Sequence, residues 1–117
     1  MYSDIVRDHF VNPRNVGVLE KPDRAGIAKN EADGDHVQLH FRLENETIVD
    51  VKMKVMGCVA AIAATSLFTE LIRGKKIDEA QEINKETLVE QLGGLPEQKI
   101  RCSLTCLDAF RNAFSGE

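Results

Sequence analysis

The sequence has no tryptophan and one tyrosine, and aromatic residues make up only 5% of its 117 positions. Single-stranded nucleic acid is gripped by stacked aromatic faces along a basic groove, and a chain with formal net charge -4 offers neither. No nucleic-acid partner is expected. Long apolar runs are missing too, none approaching the roughly 18 residues of a membrane span. The first residues, Met1 to Val11, carry acidic groups where a signal peptide would carry an apolar core. The expectation is a cytoplasmic chain with no membrane partner. Cysteine is scarce and odd in number: Cys58, Cys102 and Cys106. In a reducing compartment that count argues against a disulfide framework and for thiols that are buried, reactive or metal-bound.

What is present is ordinary globular material, 43% hydrophobic and 29% charged, at a length that favours one domain spanning residues 1–117. Ser3 can cap a first helix with Ile5, Val6, His9 and Phe10 on one face, ended by Asn12-Pro13. Residues 14–31, rich in Gly, Pro, Asn and charge, read as an extended arm leading to a weak edge strand around Ala25 to Ala32. After the turn Asp33-Gly34-Asp35, alternation places Val37, Leu39, Phe41 and Leu43 on one face and His36, Gln38, His40 and Arg42 on the other. Glu44-Asn45-Glu46 reverses the chain, and Val49, Val51, Met53 and Val55 are then expected inward.

At Gly57-Cys58 the period changes from 2 to 3.6. Cys58 to Arg73 predicts an alanine-rich central helix closed by Gly74. Two short helices follow between Lys75 and Glu90, and a last helix runs from Cys102 or Ser103 to Phe114. Strands first and helices afterwards predict an α+β fold, a small three-stranded antiparallel sheet with helices packed on one face.

Three element ends carry polar or sulfur-bearing residues: Asp33-Gly34-Asp35, Gly57-Cys58 and Arg101-Cys102-Ser103. A thiol in the first turn of a helix faces unpaired N–H groups, which favour the thiolate that binds metal or attacks sulfur. Glycine beside Cys58 permits close backbone approach, and the aspartates flanking Gly34 can supply oxygen ligands. A cysteine at a helix start is, however, more often a small buried hydrophobe, and Asp-Gly-Asp more often only a turn. Cys106, inside an apolar stripe, fits the core, His36 and His40 fit a solvated strand face, and His9 fits a helix surface. Residue types alone leave a mixed Cys/Asp metal or thiol site as one of two readings.

Four ordered stretches carry a resemblance. Asp8-His9-Phe10-Val11-Asn12-Pro13-Arg14-Asn15-Val16-Gly17, Met56-Gly57-Cys58-Val59-Ala60-Ala61-Ile62-Ala63, Gly74-Lys75-Lys76-Ile77-Asp78-Glu79-Ala80 and Lys99-Ile100-Arg101-Cys102-Ser103 resemble, in order and spacing, the U-type iron-sulfur cluster assembly scaffold family. That family also supplies the N-terminal domain of the nitrogen-fixation scaffold. The resemblance covers essentially the whole chain. It implies a non-enzymatic scaffold that receives sulfur from a cysteine desulfurase, holds iron or a [2Fe-2S] cluster transiently, and passes it to recipient iron-sulfur apoproteins. It also implies a site of three cysteines, an aspartate and a histidine. Carried over by position, Cys58 and Cys102 match two of the cysteines and Asp35 the aspartate.

Two positions depart: Asp33 stands where the first cysteine is expected and Arg101 where the histidine is. Arginine has no lone pair to offer a metal, so Arg101 is expected as an electrostatic partner of a thiolate or of Asp33 or Asp35. Asp33, Asp35, Cys58 and Cys102 would form an O2S2 set that suits zinc or a weakly held cluster, with Cys106, one turn beyond Cys102, as a substitute ligand. Leu95-Pro96-Glu97-Gln98-Lys99 replaces the family's Leu-Pro-Pro-Val-Lys segment, so an Hsp70-type chaperone is a doubtful partner. The alternatives are an interaction protein that keeps the fold without a cluster, and a zinc-binding or persulfide sulfur-relay protein.

Overall fold

The computed structural model describes residues 2–115. Its elements run α1 (Asp4–Val11), β1 (Arg24–Asn30), β2 (Asp35–Glu44), β3 (Thr47–Met56), α2 (Val59–Ile72), α3 (Ile77–Gln81), α4 (Lys85–Gln91), a 3-10 turn at Glu97–Lys99, and α5 (Ile100–Phe114). The strands form one antiparallel sheet in the order β1-β2-β3. Helices α2 and α5 cover one of its faces, giving the α+β architecture predicted by strands first and helices afterwards. Among the described residues no helix is long and apolar enough to cross a membrane.

The alternation in β2 holds: Val37, Leu39 and Phe41 are buried while His36, Gln38, His40 and Arg42 are half-buried. In β3 it breaks. Phe41 faces Val51 and Arg42 faces Asp50, but Leu43 faces Ile48, so Val49 is an extra residue in a bulge. Ile48, not Val49, is therefore the buried residue beyond the break. Strand β1 stops at Asn30, two residues short of the predicted end, because the chain turns through 31–34 with Gly34 at φ 73°. The arm before β1 binds along the outer edge of β3, with Gly17 N–H donating to Met53 O at 2.9 Å and Met53 N–H to Asn15 O at 2.7 Å. It thus covers an otherwise open edge.

Helix α2 is central, burying Ala60, Ala61, Ala63, Ala64, Leu67 and Phe68. Phe110 of α5 meets Phe41 of the sheet and Phe68 of α2 edge-on, with centroids 5.7 and 5.5 Å apart. Helix α1 buries Val6 and His9 but leaves Ile5 and Phe10 exposed, which narrows its predicted apolar face. His9 is buried against α2, its Nδ1 2.7 Å from Ser66 Oγ, and desolvation lowers its pKa. The solvated reading of His40 is likewise replaced, since its Nδ1 accepts the Leu19 N–H at 3.0 Å.

Gly26 is where β1 touches α5. A Cβ there would lie 2.0 Å from Ala109 O and 2.7 Å from Ala113 N, both backbone atoms of the helix. Gly26→Ala should therefore push α5 off the sheet and destabilise the protein by about 1–3 kcal/mol, the usual range for overpacking. The check is a lowered urea midpoint with an unchanged m-value.

Candidate metal centre

Three chain segments meet at one end of the sheet. Asp35, the first residue of β2, is buried, and its Oδ1 accepts the Cys58 N–H at 3.0 Å. Gly57 makes this possible: a Cβ at that position would stand 2.4 Å from Asp35 Oδ1. Cys58 is the N-cap of α2, but its side chain makes no cap bond, which leaves the sulfur to the site. Cys58 Sγ lies 3.9 Å from Asp35 Oδ2 and 3.3 Å from Cys102 Sγ. One ligand atom from each of Asp35, Cys58 and Cys102 lies within 4.8 Å of the others.

Cys102 enters from α5, which begins at Ile100, two residues earlier than the sequence pattern placed it. The thiol still falls in the first helical turn, yet it is fully buried against Ala60 and Ala61. Burial first, then the neighbouring Cys58 and Asp35, pushes its pKa strongly up. The expected helix-favoured thiolate is thus overruled by desolvation at Cys102. A cation bound at Cys102 would offset the cost of ionising this buried thiol.

The other predicted site residues fall outside this trio. Asp33 lies in the turn between β1 and β2 and is tied up by Arg101, whose Nε and Nη2 donate to its Oδ2 and Oδ1 at 2.5 and 3.2 Å. Asn30, which sequence reasoning missed, donates to Asp33 Oδ2 at 2.7 Å. Asp33 also hydrogen-bonds Cys102, but the group whose ligand atoms all lie within 4.8 Å of one another is Asp35, Cys58 and Cys102, one carboxylate and two thiols. Arg101 pairs with Asp33, one of the partners its chemistry allowed. Cys106 is fully buried in the main core and donates to Ser103 O at 3.2 Å, its pKa pushed up to about 12 by burial. The structure does not bring it into the group formed by Asp35, Cys58 and Cys102.

A carboxylate at a strand start and two thiols at helix starts give this α+β domain a mixed oxygen-sulfur group that could hold a metal ion. The sequence profile described as "NifU-like N terminal domain" matches residues 1–116. The iron-sulfur cluster assembly scaffold protein IscU 1 of Archaeoglobus fulgidus is 46% identical over 113 residues, 97% of this chain and 74% of that protein. The Escherichia coli scaffold protein IscU is 41% identical over 118 residues, covering 97% and 91%. Among solved structures, a putative SUF-system assembly scaffold from Fervidobacterium islandicum superposes with a TM-score of 0.83 at 26% identity, covering 97% of this chain and 96% of that one. The chain belongs to the NifU-like N-terminal domain family.

The Arg101 guanidinium holds the Asp33 carboxyl at about 2, below its ordinary 3.8. A carboxylate depressed in the folded state adds stability that is fully present above its unfolded pKa and is lost as pH falls through the folded one. Wild type should therefore melt above Asp33→Asn from neutral pH down to about 4, and the two should converge towards pH 2, as melting temperatures across that range will show.

Proposed function

We propose that this protein is an iron-sulfur cluster assembly scaffold in which Asp35, Cys58 and Cys102 hold the iron and sulfur cargo. The observation that carries this reading is the convergence of one carboxylate and two thiols, delivered by three separate elements, in a chain whose relatives carry that name. Thiolate sulfur suits iron-sulfur clusters, and the buried carboxylate adds a harder donor that exchanges more readily, as a transient holder requires. In this reading the protein binds its cargo and hands it over. A cysteine desulfurase would supply sulfur as a persulfide, and recipient apoproteins would take the finished cluster.

The same geometry supports a second occupant. A tetrahedral zinc ion with Zn–S near 2.3 Å separates its sulfur ligands by about 3.8 Å, and Cys58 Sγ and Cys102 Sγ already stand 3.3 Å apart. A single zinc or ferrous ion would fit after a small outward shift of the two sulfurs. The Asp33–Arg101 ion pair favours such a lighter load, since it withholds the fourth protein ligand that a [2Fe-2S] cluster would use.

Anaerobic reconstitution with ferrous iron and sulfide should give the visible sulfur-to-iron charge-transfer bands of a cluster. Cys58→Ser and Cys102→Ser should each lower bound iron at least about ten-fold. An unchanged featureless spectrum in wild type, or full iron content in both variants, would overturn the scaffold reading.

A further inference from the structure

Each sulfur that arrives as a persulfide is sulfane sulfur and must gain two electrons before it can bridge irons as sulfide. The site itself contains a two-electron donor. Cys58 and Cys102 are free thiols with their sulfurs 3.3 Å apart, and they differ in access: Cys58 is half-buried, whereas Cys102 and Cys106 are fully buried. An incoming persulfide therefore meets Cys58 first, and Cys102 waits directly behind it. The Asp35 carboxylate lies beside both sulfurs, and the Arg101 guanidinium sits next to Cys102, anchored by Asp33.

We propose that the Cys58–Cys102 pair is a dithiol that reduces sulfane sulfur to sulfide inside the site. In the first step the Cys58 thiol takes the outer sulfur of a donor persulfide, giving Cys58–S–SH and a donor thiol. In the second, Cys102 Sγ attacks Cys58 Sγ, and its proton ends on the displaced sulfur. The bond from Cys58 Sγ to the outer sulfur breaks, and that sulfur leaves with the electron pair as hydrosulfide, beside the cationic Arg101. The balance is Cys58–SSH plus Cys102–SH giving a Cys58–Cys102 disulfide plus hydrogen sulfide. One sulfur is reduced by two electrons and two thiols are oxidised by two. An external dithiol reductant resets the pair before its sulfurs can bind iron. Metal bound to the same sulfurs blocks the reaction, so sulfur reduction precedes iron loading.

This inference rests on the scaffold reading for its purpose, and its test is independent of cluster formation. The metal-free, reduced protein is mixed anaerobically with one equivalent of glutathione persulfide; released sulfide is assayed, and the protein is alkylated and peptide-mapped. The expected result is stoichiometric sulfide, a loss of two hydrogens from the intact mass and a Cys58–Cys102 cross-linked peptide, because the neighbouring thiol outcompetes free glutathione. In Cys102→Ser, whose fold is checked by circular dichroism, Cys58 should keep the added sulfur and sulfide release should slow at least about ten-fold. Prior loading of wild type with zinc should suppress release, and a chelator should restore it. A persulfide that persists on wild-type Cys58, a glutathione mixed disulfide in place of the cross-link, a disulfide that includes Cys106, or no sulfur uptake would each overturn the proposal. Reconstitution with preformed sulfide bypasses the step, so a cluster that forms there while the dithiol reaction fails removes this inference alone.

Discussion

The bond from the Cys58 backbone N–H to Asp35 Oδ1 is the contact on which the site depends. It ties the start of β2 to the start of α2, and it exists only because Gly57 has no side chain to fill the space that the carboxylate occupies. That bond holds Asp35 buried at the helix start and leaves the Cys58 sulfur uncommitted to capping. It points both donors toward the place where α5 brings Cys102. The rest of the fold sets the distances: the sheet carries α2 and α5 side by side on one face, and Gly26 lets α5 sit against β1 backbone to backbone. A ligand site built at element ends in this way leaves the core undisturbed.

Much of this was legible in the residue order. The switch from period 2 to period 3.6 at Gly57-Cys58 marked the change from sheet to helix, whereas the grouping of Cys58, Cys102 and Asp35 came from the family resemblance, since residue types alone left it open. What stayed hidden depended on long-range partners. Arg101 had a thiolate, Asp33 and Asp35 as possible partners, and the choice of Asp33, 68 residues away, is made by the fold and not by any local pattern. The bulge that brings Ile48 inward is set by pairing with β2, so a strict alternation counted from β3 alone selects Val49. His9 is polar on a short helix and reads as surface; Ser66 on α2 supplies the partner that makes its burial tolerable. At Cys102 the helix-start argument was sound as far as it went, but depth outweighed it.

The two departures from the family pattern, Asp33 and Arg101, are a single structural event. One without the other would leave a lone charge at the rim of a thiol site; together they neutralise each other across the gap between the β1–β2 turn and α5. The pair places a permanent cation beside sulfurs that must become anionic to bind metal. Within the trio, Asp35 and Cys102 are buried and Cys58 is half-buried, so Cys58 is the donor that solvent reaches.

The central claim is that one carboxylate and two thiols, with no third sulfur, form the metal centre. X-ray absorption at the zinc edge of the zinc-loaded protein tests it most directly. The account predicts two sulfur scatterers near 2.3 Å and the remaining shell filled by oxygen or nitrogen near 2.0 Å. Three sulfurs would place Cys106 at the metal and contradict the account, as would a shell with no sulfur at all.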